Sequence, residues 1–276
     1  MTKVAFMYDF DKTLCDKDMQ EYDFIPSMNV SANEFWSETT KVALDESVEK
    51  ILAYMYTMMK YAKRNNISLT REFLKNCGKS VNLFPGVDTW FQRINRMALS
   101  LGIEVEHYII SSGLKEIISG TPIAKYFKEV YACEFHYSKD GDADFPAFVV
   151  NYTMKTQYLF RISKGAFDPN DDITLNKKIS DDERYVKTRN MIYFGDGLTD
   201  VPCMRLVRES GGTAIAVYQP GKEKIARELL EDNRVDFIAE TNYKENSDID
   251  TIIRKVFNRI IAEDNLDEIR NKQKGR

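Results

Sequence analysis

The stretch Val4-Ala5-Phe6-Met7-Tyr8-Asp9-Phe10-Asp11-Lys12-Thr13-Leu14 decides how the rest of the chain is read. Its apolar run from Val4 to Tyr8 has the length of a buried strand, and two acids and a threonine follow it. In an open α/β sheet, that end of a parallel strand lies at the edge where ligands bind. Asp9 and Asp11 are two residues apart, so in extended chain their side chains leave the same face, roughly 6–7 Å from each other. Two carboxylates so placed can divide the work of attacking a phosphorus atom and handling the leaving group's proton, and together can hold a hard cation. A strand followed by a plain acidic turn fits the same residues, and the remainder of the chain has to separate the two readings.

The remainder repeats the arrangement. Glu104 to Ile110 reads as a second strand, ending in Ser111-Ser112-Gly113 before a helix over Leu114 to Ser119. A hydroxyl at that point, beside free backbone N–H groups, suits an anion. Ser112 fits a helix cap, which leaves Ser111 as the functional hydroxyl. Asn190 to Phe194 reads as a third strand and runs into Gly195-Asp196-Gly197-Leu198-Thr199-Asp200, with Pro202 opening a helix over Val201 to Val207. Asp196 and Asp200 turn toward one point if Thr199 or Asp200 begins helical structure. Thr153-Met154-Lys155-Thr156 opens another helix, and Lys155 taken alone reads as a surface lysine. Thr213 to Tyr218 and Val235 to Ala239 are further strands, with a helix over Lys222 to Leu230 between them. An amphipathic helix through Ile249, Ile253, Val256 and Ile260 follows, and the charged end from Asn271 is expected to fray.

Residues 17–81 carry little strand signal and almost no Gly or Pro, which predicts a helical cap inserted after the first strand. Ser31-Ala32-Asn33-Glu34 is a capping box, Leu44, Val48, Ile51, Leu52, Met55 and Met59 recur at helical spacing, and Thr70 to Lys75 suggests one more helix. The stripe of Tyr54, Met55, Tyr56, Met58, Met59 and Tyr61 reads as core packing. Residues 1–16 and 82–276 then form an α/β core, a Rossmann-like parallel sheet flanked by helices, starting again at Leu83-Phe84-Pro85-Gly86 and the helix Val87 to Leu101. Asp140-Gly141 between Glu129 to Tyr137 and Phe145 to Tyr152 marks a β-hairpin near 131–152. The alternating Asp140, Asp142 and Asp144 lack the spacing of a calcium loop. Residues 165–187 read as a long polar loop.

At 276 residues, 43% apolar and 30% charged, the chain has the composition of a soluble globular protein. Its net charge of −4 gives no basic footprint for nucleic acid, so an anionic substrate needs a metal or a few placed cations. Cys15, Cys77, Cys133 and Cys203 have no metal-ligand spacing and suit a reducing compartment. With no signal peptide visible and no apolar run long enough to span a membrane, the expected location is the cytoplasm. Oligomeric state is not legible.

Three or four acids converging on one sheet edge require a cation among them, which predicts magnesium. With these residues in order, the chain resembles the haloacid dehalogenase (HAD) superfamily. Asp9-Phe10-Asp11-Lys12-Thr13 resembles its first motif, Ile110-Ser111 its second, Lys155 its third and Gly195 to Asp200 its fourth. The helical insertion is most similar to that of the phosphoserine-phosphatase-like members. The resemblance implies a phosphatase acting on a small phosphorylated metabolite. Asp9 would be the nucleophile, Asp11 the acid and base, and Lys155 the residue that offsets charge and holds Asp9. Thr13, Ser111, Ser112 and Gly113 would contact the phosphoryl group. Mg2+ would be held by Asp9, the Asp11 backbone carbonyl, Asp196 and Asp200. Dehalogenating members lack the second acid, so Asp11 favours phosphate. The stretch from Cys15 to Tyr22 departs from a phosphoserine-recognition pattern, with Glu21 where an amino-group contact would fall, and the substrate stays open. A phosphotransferase using the same intermediate and a non-catalytic phospho-ligand-binding protein are the alternatives. A receiver domain is shorter and has no helical insertion.

Overall fold

A computed structural model describes residues 1–275. Seven strands form one sheet in the order β4-β3-β2-β1-β5-β6-β7. They are β1 (Thr2–Tyr8), β2 (Ile103–Leu114), β3 (Phe127–Tyr137), β4 (Ala143–Phe148), β5 (Met191–Gly195), β6 (Thr213–Tyr218) and β7 (Phe237–Glu240). All neighbours are parallel except β3 and β4, which form the expected antiparallel hairpin. The fold is therefore the α/β class that the alternation of strands and helices predicts. β1 sits in the middle with every residue from Val4 to Tyr8 buried, which is why its sequence is apolar on both faces. The chain continues to β2 on one side and later returns to β5 on the other, so the C-terminal end of β1 is a topological switch point. Tyr8 is level with Ile109 and with Phe194, and the acids and serines that follow these three strands are carried to the same edge.

The helices are α1 (Phe24–Ser27), α2 (Ala32–Asp45), α3 (Lys50–Arg64), α4 (Arg71–Cys77), α5 (Val87–Ser100), α6 (Lys115–Gly120), α7 (Met154–Lys164), α8 (Asp172–Asn176), α9 (Val201–Glu209), α10 (Lys224–Glu231) and α11 (Asp248–Gln273). Side chains alternate across β1. Phe6 and Tyr8 pack on one face against Phe257 of α11 and Phe91 of α5, at ring-centroid distances of 5.9 Å each. Asp9 leaves the other face, toward α7. Between β1 and α5 the chain is helical, as its composition predicts. The capping box at Ser31 and Glu34 is formed, and Thr70 caps α4. Gly78 and Gly120 let this helical segment meet the core backbone to backbone. A Cβ on Gly120 would fall 1.7 Å from the carbonyl oxygen of Lys75, and one on Gly78 would fall 2.1 Å from that of Ile117.

Several local expectations are corrected. Leu44 does not share a helix with Ile51 and Met55. It belongs to the last turn of α2, and the chain breaks at Ser47, which has a left-handed φ of 55°. β2 does not stop at Ile110. It bulges and continues to Leu114, so Ser112 caps nothing and α6 begins at Lys115 without a side-chain cap. The second hairpin strand starts at Ala143 and ends at Phe148. α11 continues through Gln273, so residues 271–273 of the end expected to fray are helical, and Arg276 lies outside the described residues. The polar stretch 165–187 contains the short α8 and a turn of 3-10 helix.

Behind β1 lies a buried polar chain. The Trp90 Nε1–H donates to the Tyr8 hydroxyl at 2.9 Å, and that hydroxyl meets His107 Nδ1 at 3.1 Å. His107 Nε2 lies 2.9 Å from Asn95 Oδ1. Because the Asn95 amide oxygen only accepts, Nε2 carries the proton of the neutral imidazole, and Nδ1 accepts from the Tyr8 hydroxyl. Burial pushes His107 down to about 3. The unfolded chain, with an ordinary imidazole near 6.5, then takes up a proton that the native state refuses, and stability falls as the pH drops through that range. From pH 7 to pH 5 this one residue should cost about 2 kcal/mol. Urea unfolding of the wild type and of His107→Gln at both pH values should show the wild type losing about 2 kcal/mol relative to the variant, since the titrating carboxyls of the two proteins are the same. Equal pH sensitivity of the two proteins would contradict it.

Candidate active site

The strand ends and α7 bring together the residues that the sequence singled out. Lys155, on the first turn of α7, is not a surface residue: it is 1% exposed. Its Nζ donates to Asp9 Oδ1 and to Asp200 Oδ1, at 2.8 Å each. The reading as surface failed because a lysine is placed by its partners, and both partners are distant in sequence. Asp9, the first residue past β1, is positioned by its own N–H, which donates to the Phe194 carbonyl at 2.9 Å and extends the β1–β5 ladder. Asp200 precedes α9 and is fully buried. It also accepts from the Tyr193 hydroxyl at 2.7 Å. Gly195 makes this possible, since a Cβ there would sit 2.6 Å from the Asp200 carboxyl carbon.

Asp196 completes the cluster: one carboxylate oxygen each from Asp9, Asp196 and Asp200 lie within 4.8 Å of one another. Three carboxylates against one ammonium leave a formal charge of −2. Burial, opposed by Lys155 and reinforced by Asp200, raises Asp9 to about 6. Burial, with Asp9 and Asp200 adding repulsion, raises Asp196 to about 8. Burial works against the Lys155 ammonium, but Asp200 and Asp9 outweigh it and hold it firmly charged. These shifts mark a site short of positive charge. Asp200 Oδ2 is buried with no hydrogen-bond partner, an oxygen left over after Lys155 and Tyr193 are served. Hard oxygen donors, a deficit of two charges and an orphaned carboxylate oxygen fit a divalent cation.

Two buried hydroxyls follow the end of β1 and the apolar run of β2. Thr13 is fully buried with its hydroxyl unpartnered. It follows Lys12, whose φ of 58° is the left-handed conformation that turns the chain sharply after Asp11. The Thr13 carbonyl is held from behind by the Tyr243 hydroxyl at 2.8 Å, a contact across the whole fold that no local signal announces. Ser111 is buried and accepts from the Gly113 N–H at 3.0 Å, which leaves its own proton free to donate. Gly113 itself is needed for space, since a Cβ there would fall 2.0 Å from Met19 Cε and 3.1 Å from Asp11 Oδ2. Asp11 Oδ1 accepts from the Met19 N–H at 2.8 Å. Burial first, then the nearby Asp18 and Asp9 charges, hold the Asp11 carboxyl well above the usual range. The Ser112 carbonyl accepts from the Tyr54 hydroxyl at 2.8 Å. Asp11, Ser112 and Tyr54 also line a cavity of about 500 Å³ beneath α2 and α3. Tyr54 is packed in the core, as its methionine-rich stripe suggested, and also lines this cavity. Glu21 does not reach this cavity, because its carboxylate accepts from Trp36 Nε1 at 2.8 Å.

If the cluster holds a divalent ion, millimolar magnesium or manganese should raise the melting temperature, since a ligand that binds only the native state stabilises it. Asp196→Asn should abolish most of that rise, and Gly195→Ala should do the same by displacing Asp200. Calorimetry of the unfolding transition with and without the ion measures both, and an unchanged rise in Asp196→Asn would remove Asp196 from the site.

No protein-family model matches the chain. It is 27% identical over 267 residues to an uncharacterized protein of Borreliella burgdorferi, a match covering 87% of this chain and 91% of that one. Among solved structures, a phosphoserine phosphatase in apo form superposes with a TM-score of 0.57 at 15% identity, covering 92% of this chain and 98% of that one. A HAD family hydrolase of Salmonella enterica serovar Typhi superposes with a TM-score of 0.55 at 18% identity. It covers 81% of this chain, which spans only 64% of that protein's length. The chain has the fold of the HAD-type hydrolases and phosphoserine phosphatases.

Proposed function

We propose that the chain is a HAD-superfamily phosphatase that hydrolyses a small phosphomonoester through an aspartyl-phosphate on Asp9. The observation that carries the reading is the buried Lys155 ammonium in contact with both Asp9 and Asp200 at 2.8 Å. That contact keeps Asp9 anionic despite its burial and fixes which oxygen is left to attack. The attacking oxygen forms the bond to phosphorus while the bond to the leaving alkoxide breaks. Asp11, whose carboxyl is pushed well above the usual range by burial and by the Asp18 and Asp9 charges, gives that alkoxide its proton. The Asp11 carboxylate then takes a proton from water, which attacks the phosphorus and releases Asp9 and inorganic phosphate. The unpartnered Thr13 hydroxyl and the free proton of Ser111 donate to phosphoryl oxygens, and Lys155 offsets their charge. Gly113 spends its N–H on orienting Ser111.

Mg2+ fits the cluster, with Asp9, Asp196 and Asp200 and the Asp11 backbone carbonyl as the residues that would hold it. When bound, it supplies Lewis-acid compensation for the phosphoryl charge. Residues 17–81 act as the cap. The reading takes a small phosphorylated metabolite as the substrate and the cytoplasm as the location, a reducing compartment that suits four free, buried cysteines. Among the described residues no helix is long and apolar enough to cross a membrane.

The purified protein should hydrolyse p-nitrophenyl phosphate when magnesium is present. Asp9→Asn should lower kcat at least about 1,000-fold, and Asp11→Asn about 100- to 10,000-fold, the range for losing a general acid and base. Mass spectrometry of Asp11→Asn after quenching should show a phosphoryl group on Asp9. Full activity in Asp9→Asn would refute the assignment.

A further inference from the structure

The cavity over Asp11 has a composition of its own. Trp36, Thr39 and Ala43 project into it from one face of α2, at i, i+3 and i+7, and Tyr54 of α3 stands across from them. Both aromatic side chains are fixed by their polar tips, which point elsewhere: Trp36 Nε1 donates to Glu21 and the Tyr54 hydroxyl to the Ser112 carbonyl, each at 2.8 Å. What they give the cavity is ring carbon. Trp36 and Tyr54 stand edge to face, with centroids 6.4 Å apart.

Two polar atoms stand out against that carbon. Gln20, 2% exposed, and Thr39, 7% exposed, both line the cavity, and Gln20 Oε1 and Thr39 Oγ1 have no hydrogen-bond partner. Leaving a buried acceptor without a donor is costly, and a bound N–H or O–H would remove that cost. The charges, by contrast, are already used or wet. Asp18 is paired with Lys12 at 2.7 Å. Lys50, the basic residue of the lining, is exposed. Nothing buried in this wall matches the carboxylate of a free amino acid. At about 500 Å³ the space falls in the range of pockets that enclose a whole drug-sized ligand, and a serine-sized group would leave most of it to water.

Resting on the phosphatase reading, we propose that this cavity binds the alcohol part of the substrate, and that this alcohol is planar and aromatic or heteroaromatic, with an N–H or O–H donated to Gln20 Oε1. Trp36 and Tyr54 pack on its ring, Thr39 takes a second polar group, and Asp11 in the wall faces the ester oxygen. The wall selects against phosphoserine.

The test compares kcat/KM of the full-length, magnesium-loaded protein on 4-aminobenzyl phosphate, benzyl phosphate, phosphoserine and acetyl phosphate, the last of which leaves the cavity empty of ring. The expected result is 4-aminobenzyl phosphate at least about tenfold above both phosphoserine and benzyl phosphate. Gln20→Leu should lower the ratio of 4-aminobenzyl to acetyl phosphate about tenfold. Should that variant fail to fold, the benzyl comparison on the wild type deletes the same hydrogen bond from the substrate side. Acetyl phosphate hydrolysed while phosphoserine equals or exceeds the aromatic ester would overturn the cavity assignment alone. No hydrolysis of any ester would overturn the phosphatase reading. Calorimetric titration with 4-aminobenzyl alcohol then still decides the cavity: saturable binding lost in Gln20→Leu supports it, and no binding sinks it.

Discussion

One buried ammonium among three carboxylates sets the terms for the rest of this molecule. Lys155 reaches Asp9 and Asp200 in a region from which water is excluded, where charge pairs are strong and unpaired charges are costly. The pairing dictates that α7 must pack against the sheet face from which Asp9 emerges, and that β5 must end where Asp200 can turn back over it. It also leaves the site two positive charges short, the property that suits it to a divalent ion.

Holding like charges together requires backbone that gives no room to retreat. Gly195 lets the Asp200 carboxyl lie against the end of β5, and the left-handed Lys12 turns the chain sharply between Asp11 and Thr13. Three buried tyrosines brace the arrangement from behind. Tyr8 sits in the chain of hydrogen bonds through Trp90 and His107, Tyr193 donates to Asp200, and Tyr243 donates to the Thr13 carbonyl. Each brings a hydroxyl from the buried core to a polar group.

The helical segment after β1 answers a separate need. It is clamped to α6 through Gly78 and Gly120, and the Ala143 N–H of the hairpin donates to the Leu69 carbonyl at 3.0 Å, so it is anchored on two sides. An anchored cover gives a preformed cavity, in which binding energy goes to recognition of the ligand's shape. Its wall combines ring carbon with two unpartnered oxygens.

The sequence by itself determined the strands, their order of use and the identity of the acids. Apolar runs that end in Asp9-Phe10-Asp11, Ser111 and Asp196 are local signals, fixed by the two-residue period of a strand and by burial on both faces. The capping box at Ser31 and the cap at Thr70 were legible for the same reason, because a cap satisfies N–H groups only a few residues away. Only the tertiary structure decided that Lys155 is buried, that Ser112 lies in a bulged strand and caps nothing, that Tyr243 supports Thr13, and that Gln20 and Thr39 share one cavity. Those facts depend on desolvation and on partners up to 230 residues apart, and neither can be read from the spacing of residues along a chain.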